Sequence, residues 1–318
     1  MPLGEFELIE RYLSRLGASR DDVLLGVGDD AALLRPPAGL ELALAADTVV
    51  EGVHFPAGLD AADLGHRVLA VNLSDMAAMG AEPAWALLTL TLPRAEPGWL
   101  RGFANGLHEL ARQHGTALVG GDTTSGPLTA TVAIAGFVPP GQALRRAGAR
   151  AGDEVWVSGT PGDASAGLAI ITGTLEAPDT VADPLAQRFL RPAPRVSLGL
   201  VLRGMASACI DVSDGLLGDL GKLCQASGVA AEVDSTCLPR SDALRAATDP
   251  ATARRFALGG GDDYELLFTL PPGTDAAQLA RGAGVGLTRI GRIVAGSGVS
   301  VDGVPAEREL GHGFDHFG

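Results

Sequence analysis

Gly26-Val27-Gly28-Asp29-Asp30-Ala31-Ala32-Leu33-Leu34-Arg35-Pro36-Pro37 is the stretch that decides what kind of fold this chain has. Its spelling matches the dinucleotide fingerprint G-x-G-x-x-A, whose glycines bring a pyrophosphate onto the amino end of a helix. Two carboxylates would face that pyrophosphate, and Pro36-Pro37 leaves no room for the helix. The stretch reads instead as part of two short apolar runs, 24–27 and 31–34, around an acidic turn. A dinucleotide-binding doubly wound sheet is thereby removed from consideration.

Elsewhere in the chain, carboxylates recur beside glycine or at the end of an apolar run: Asp47, Asp75, Gly121-Asp122, Asp211-Val212-Ser213-Asp214-Gly215 and Gly261-Asp262-Asp263. Carboxylates placed this way can converge on hard cations. Magnesium takes oxygen ligands, keeps several waters and is usually shared with substrate phosphates. The expectation is a nucleotide site with several metal ions.

Composition sharpens this. Against 38 acidic residues stand 24 Lys and Arg, a formal charge of −14, and the one lysine is Lys222. Such a surface repels nucleic acid. ATP is a polyanion too, so metal ions would have to screen it. At 318 residues and 46% hydrophobic content there is core enough for two domains. No apolar run approaches the ~20 residues that span a bilayer, and the acidic start (Glu5, Glu7, Glu10) lacks the basic flank of a signal peptide, so no membrane partner and a cytoplasmic location are expected. Cys209, Cys224 and Cys237 are too widely spaced for a zinc knuckle and odd in number, and read as buried, reduced thiols.

Along the chain, Phe6, Ile9, Leu13 and Leu16 form the stripe of an amphipathic helix. The run 42–46 predicts a strand ending at Asp47, and 60–80 a long helix with Asn72 and Asp75 on one face in apolar company. A carboxylate there calls for a cation, a metal or a set of donors. Strands follow at 85–92, at 116–119 ending in Gly120-Gly121-Asp122, and at 128–138, with a helix over 98–114. Pro139-Pro140-Gly141 marks the domain boundary, giving domains 1–138 and 139–318. The second contains strands 154–158, 208–211, 230–233 and 264–270, and helices including 164–171, 214–226 and 251–258. The fold class is α/β or α+β.

Gly221-Lys222 is followed by Leu223 and lacks the first glycine of a phosphate-binding loop, and the protein-kinase lysine, His-Arg-Asp and Asp-Phe-Gly set is missing. ATP would have to be held by carboxylates, metals, backbone amides and arginine. Ser213 and Asp214 fall where a strand meets a helix, a place where either could also be an ordinary helix cap. In Gly259-Gly260-Gly261-Asp262-Asp263-Tyr264-Glu265 the glycines allow a backbone to approach a ligand closely. His54, in Glu51-Gly52-Val53-His54-Phe55, is the histidine of interest.

In order and separation these segments, with Val71 to Gly80, Gly120-Gly121-Asp122-Thr123 and Asp315-His316-Phe317, resemble the thiamine-monophosphate kinase family, within the superfamily of aminoimidazole ribonucleotide synthetase. The resemblance covers nearly the whole chain. It implies a two-domain synthetase-like fold that dimerises through the amino-terminal sheet, ATP as co-substrate, several Mg2+ ions, and transfer of the γ-phosphate to thiamine monophosphate to give thiamine diphosphate. Carried over by position, Asp30, Asp47, Asp75, Asp122, Asp211 and Asp214 become metal ligands. Gly121, Asp122, Arg146 and Ser213 become nucleotide contacts, and His54, Asp262 and Phe314 contact the thiamine substrate. Asp75, Asp122 and Arg146 are the catalytic set. The chain departs from the family's pattern at Ala45 and Ala46, where hydroxyl residues are common, and at Asp262, often Glu. Aminoimidazole ribonucleotide synthetase itself and a non-catalytic ATP and magnesium sensor are the alternatives.

Overall fold

A computed structural model describes residues 4–306, in two units. One runs to Met76 and adds Ala81–Gly141; the other comprises Ala77–Gly80 and the chain from Gln142.

In the first unit, the amino-terminal stripe folds as a short α-helix, Glu5–Leu8 (α1), continued by a π-helical segment, Ile9–Leu13. Val23–Leu25 (β1) and Leu33–Leu34 (β2) pair antiparallel with no helix between them. Glu41–Val50 (β3), Ala61–Ala78 (α2), Glu82–Leu92 (β4), Pro97–Gln113 (α3), Ala117–Ser125 (β5) and Thr129–Val138 (β6) complete the unit. The sheet order is β3-β6-β4-β5, with α3 as the crossover between the parallel pair β4 and β5.

Alternation sets the two faces of this sheet. On one face Val132, Leu88 and Leu90 are buried, as are Leu69 and Leu73 of α2 and Phe103 and Leu107 of α3. The other face is covered at one end, where Val23, Ala32 and Leu34 pack on Trp85, Ala135 and Phe137. The indole N–H of Trp85 donates to Asp22 Oδ1 at 2.9 Å and Arg20 grips the same carboxylate, which fastens the β1–β2 hairpin. Leu44, at 72% exposure, and Leu87 remain open on that face.

The strand boundaries differ from expectation at two carboxylates. Asp47 lies inside β3, which continues to Val50, and Asp122 lies inside β5, which continues to Ser125. Both strands are prolonged because β6 and β4 offer partners in register, Val132 for Asp47 and Thr89 for Asp122, so pairing overrides the local polar break.

The second unit contains Glu154–Ser158 (β7), Asp163–Ile171 (α4), Asp179–Leu190 (α5), Val196–Leu202 (α6), Ala208–Asp211 (β8), Leu216–Ser227 (α7) and Ala230–Val233 (β9). Asp242–Ala247 (α8), Pro250–Gly259 (α9), Leu266–Leu270 (β10), Ala276–Ala283 (α10), Leu287–Val294 (β11), Gly298–Val301 (β12) and Val304–Pro305 (β13) follow. The seven strands are ordered β13-β12-β9-β11-β7-β10-β8, antiparallel except for β9 with β12. Val155, Val157, Ile210 and Leu267 from the sheet meet Leu216, Leu220 and Leu223 of α7 in its core. Ala166, Leu185, Leu244 and Ala253 join α4, α5, α8 and α9 in a separate cluster.

Cys209 and Cys224 are buried, and burial pushes both thiols up, Cys224 to about 11. Cys237 departs from the sequence reading, since it is exposed and its thiol donates to Asp234 Oδ2 at 3.5 Å. It is the last residue of a short 3-10 turn, Ser235–Cys237, which leaves it outside the core. Among the described residues no helix is long and apolar enough to cross a membrane.

Candidate active site

In the first unit Asn72 joins the helix that carries Asp75 to the strand that carries Asp47. The asparagine is fully buried; its Nδ2 donates to Val68 O at 3.0 Å, one helical turn back, and its Oδ1 accepts the Asp47 N–H at 3.1 Å. The side chain thus ties α2 to β3 at Asp47. Asp75 stands three residues on, on the same face of α2, half-buried rather than enclosed as its apolar neighbours suggested. A helix-to-strand clasp therefore brings Asp47 and Asp75 to one region.

Asp122 belongs to a different row of the same sheet. Thr48, Thr131, Thr89 and Asp122 lie in register across it, and the hydroxyls of Thr48 and Thr131 are hydrogen-bonded at 2.8 Å. Gly121 has φ 147°, and a Cβ there would come within 1.8 Å of Leu88 O, so β5 can approach β4 this closely only with glycine. Asp30 is exposed in the loop between β1 and β2, where its N–H donates to Asp29 Oδ1 at 2.8 Å. His54 sits in the turn after β3; its Nδ1 accepts the Val50 N–H at 3.1 Å. An accepting Nδ1 puts the proton of the neutral ring on Nε2.

In the second unit two turns run side by side. Beyond the pairing of Leu266 with Asp211, Val212 N–H donates to Glu265 O, Tyr264 N–H to Val212 O and Asp262 N–H to Ser213 O, each at 2.8 Å. These bonds carry the β8–β10 ladder past its formal ends and set Asp262 beside Ser213. Gly261 permits the approach, since a Cβ there would meet Ser213 O at 2.6 Å. Asp211, 6% exposed, closes β8. Arg145 O accepts the Cys209 N–H at 2.8 Å, so the segment bearing exposed Arg146 runs along the edge strand β8.

Ser213 and Asp214 do not cap α7. The helix begins at Leu216 with Gly215 as its cap, at φ 109° and without a side-chain cap bond. The turn is held by Asp219, 1% exposed, whose Oδ2 accepts both the Ser213 and Asp214 N–H groups at 3.0 Å. Its Oδ1 accepts from Lys222 at 2.8 Å, and the same ammonium donates to Asp214 Oδ2. Burial pushes the Asp219 carboxyl up, against the pull of Lys222 and the Asp214 amide.

The Gly-Gly-Gly-Asp-Asp loop separates its carboxylates by function. Asp262 and Tyr264 have φ of 69° and 51°, left-handed conformations that side chains other than glycine adopt at a cost. They turn buried Asp263 inward, where its carboxylate accepts from Gly162 N at 2.6 Å and Ala164 N at 3.1 Å at the start of α4. Burial pushes that carboxyl well up, offset in part by these amides and Arg188. Glu265, at 0% exposure, accepts from Arg188 at 2.6 Å and from Arg195 at 2.6 and 2.5 Å, with the Ser158 hydroxyl at 2.5 Å. Burial pushes its carboxyl up, but Arg195 and Arg188 outweigh this and hold it below the usual range.

Asp219, Arg188 and Arg195 escaped the sequence reading, while Asp263, grouped there with carboxylates able to converge on cations, instead accepts from backbone amides, and Glu265 of the same loop is held by the two arginines. The weak signals were the second acidic residue five positions beyond Asp214 and the single lysine three beyond that. Phe314 lies outside the described residues.

The magnesium implied by the resemblance can be tested against the donors present. They are carboxylate oxygens, the chemistry a hard cation selects, and at Asp214 a positive group, the Lys222 ammonium, already occupies a cation's place. Among the described residues no three His, Cys, Asp or Glu side chains gather into a metal cage. An ion that completes its shell with water and substrate oxygens is the kind such dispersed donors can hold.

Comparison with known proteins follows the two units. Residues 28–138 match the AIR synthase related protein N-terminal domain and residues 150–304 the AIR synthase related protein C-terminal domain. The thiamine-monophosphate kinase of Escherichia coli (strain K12) is 49% identical, over 100% of this chain and 99% of the relative. The crystal structure of thiamine-monophosphate kinase from Stenotrophomonas maltophilia K279a is 51% identical with a TM-score of 0.88, covering 96% of this chain and 99% of that one. A solved structure described as AaThiL complexed with AMPPCP and TMP is 32% identical with a TM-score of 0.79, covering 100% of this chain and 99% of that one.

Proposed function

The chain belongs to the thiamine-monophosphate kinase family, and from that membership we propose that it transfers the γ-phosphate of ATP to thiamine monophosphate, giving thiamine diphosphate. The observation that carries this is similarity at 49% identity across the whole chain, in both units at once. The structure described with AMPPCP and TMP supports a nucleotide and a phosphate-bearing co-substrate as the pair of ligands.

The chemistry fits the residues. A phosphate monoester has a second pKa near ~6 and is largely dianionic at neutral pH, so no general base is needed to make it a nucleophile. What remains is to hold two anions in line and to neutralise charge as the phosphoryl group passes between them. Bound magnesium would supply that neutralisation at the phosphate oxygens. Asp30, Asp47, Asp75 and Asp122 would hold such ions in the first unit, where Asn72 joins the helix of Asp75 to the strand of Asp47, and Asp211 and Asp214 would hold them in the second. Gly121, Asp122, Arg146 and Ser213 would contact the nucleotide, Arg146 bringing a positive charge that does not depend on metal. His54 would offer Nε2–H to the thiamine substrate, and Asp262, fixed beside Ser213, is the second residue that would contact it. The reaction is direct, with no phosphoenzyme.

A homodimer in the cytoplasm belongs to the same proposal. The open face of the four-stranded sheet supports the dimer: Ala46, Ala133 and Leu87 lie in one row beside exposed Leu44, an apolar surface suited to a second copy.

The test is ADP release by the purified protein with ATP and Mg2+, in separate reactions with thiamine monophosphate, thiamine and an aminoimidazole-pathway substrate. Release with thiamine monophosphate alone, matched by thiamine diphosphate on chromatography, is expected. ATP binding with no turnover on any of them would overturn the kinase reading in favour of a sensor.

A further inference from the structure

Lys222 is the one lysine in the chain, and its position is not that of an idle surface group. Two turns into α7, its ammonium is shared between Asp214, on the turn before the helix, and Asp219. Asp219 is at the same time the buried acceptor for the Ser213 and Asp214 amides. One carboxylate therefore fixes both the backbone of the turn and the cation that faces the turn's side chain. Arginines, which outnumber lysine throughout this chain, would present a planar fork; the compact ammonium resembles a bound metal ion more closely.

We propose that Lys222 is a built-in counter-ion for Asp214, which holds the carboxylate in place when no metal is bound and must be displaced from it when a divalent cation takes that oxygen. This rests on the reading of Asp214 as a metal ligand. Asp219 retains the ammonium after displacement, because its bond to Lys222 does not involve Asp214. The lysine thus acts as a positioning residue: it keeps the turn from being pushed apart by its own negative charges, and it raises the metal concentration needed to fill the site.

The experiment is Mn2+ titration of the full-length protein without nucleotide, followed by calorimetry, for wild type, K222M, K222R, D214N and the D214N/K222M double variant. The pair is half-exposed and screened by solvent, so K222M should bind Mn2+ about two- to fivefold more tightly, an advantage that shrinks as salt rises. K222R, which keeps the charge, should stay near wild type, and D214N should bind more weakly and abolish the effect of K222M. In turnover assays K222M should lower the half-saturating Mg2+ concentration more than it changes kcat, a split that mere loss of helix stability would not produce. K222Q replaces K222M if that variant does not fold. Unchanged Mn2+ affinity in K222M alongside weakened binding in D214N would overturn the counter-ion role while leaving Asp214 as a ligand. Unchanged binding in D214N as well would overturn the ligand assignment and the inference with it.

Discussion

Replacing Asp219 by alanine removes the acceptor for two amides at once. Both N···O distances are 3.0 Å and the carboxylate is almost wholly buried, whereas Ser213 and Asp214 themselves are half-buried. A buried donor left without a partner costs about 1–3 kcal/mol. Water can reach the half-buried turn in part, which sets the expected loss near 2–4 kcal/mol for the pair rather than the sum of the upper limits. Asp219→Asn separates the contributions. It keeps an oxygen for the amides, loses the bond to Lys222, and relieves the burial of a charge whose carboxyl is already pushed up. Its net cost should be about 1 kcal/mol. Hydrogen exchange at the Ser213 and Asp214 amides reads this directly, because about 1.4 kcal/mol is a factor of ten in local opening. The Ala variant should exchange there roughly 30- to 700-fold faster than wild type and the Asn variant less than about tenfold faster. Wild-type exchange in the Ala variant, or equal acceleration in both, would refute the role given to Asp219. Fast exchange with undiminished turnover would detach the turn from the active site.

Asp75→Asn should lose most of its turnover and shift its magnesium dependence; near-normal kinetics would take Asp75 out of the site. His54→Ala should raise the KM for thiamine monophosphate more than it lowers kcat, and an unchanged KM would count against the contact. Glu265→Gln leaves two arginines facing a neutral amide in a buried place and should destabilise the protein by about 3 kcal/mol at neutral pH, since breaking a buried pair costs about 3–5 kcal/mol and these arginines are about one-fifth exposed. Because the Glu265 carboxyl is held below its ordinary 4.5, its stabilisation is fully present above that pH and is lost as pH falls below it. The difference in stability between wild type and the Gln variant, followed by urea unfolding, should therefore be constant above pH 4.5 and narrow below it; a constant difference down to pH 3 would contradict the assignment.

A dinucleotide-binding loop was excluded from residues alone, because Pro36-Pro37 leaves no room for its helix, and the hairpin of β1 and β2 stands in its place. Local pattern also placed Glu154–Ser158, Ala208–Asp211 and Ala230–Val233 to the residue, because short apolar runs bounded by polar or glycine residues have few other local solutions. The acidic positions of the candidate site were legible one by one, since a costly charge beside glycine or at the edge of an apolar run stands out in any single sequence. Which carboxylates are available and which are structural depends on contacts made in the folded chain. Asp262 and Asp263 are chain neighbours of one chemistry, yet two left-handed backbone conformations turn Asp263 into the amino end of α4 and leave Asp262 beside Ser213. Glu265 is neutralised by arginines 77 and 70 residues away, a distance across which no local pattern carries a signal. Strand ends at Asp47 and Asp122 were likewise set by partners elsewhere in the sheet, because hydrogen bonding to a neighbouring strand outweighs the local preference of a single aspartate.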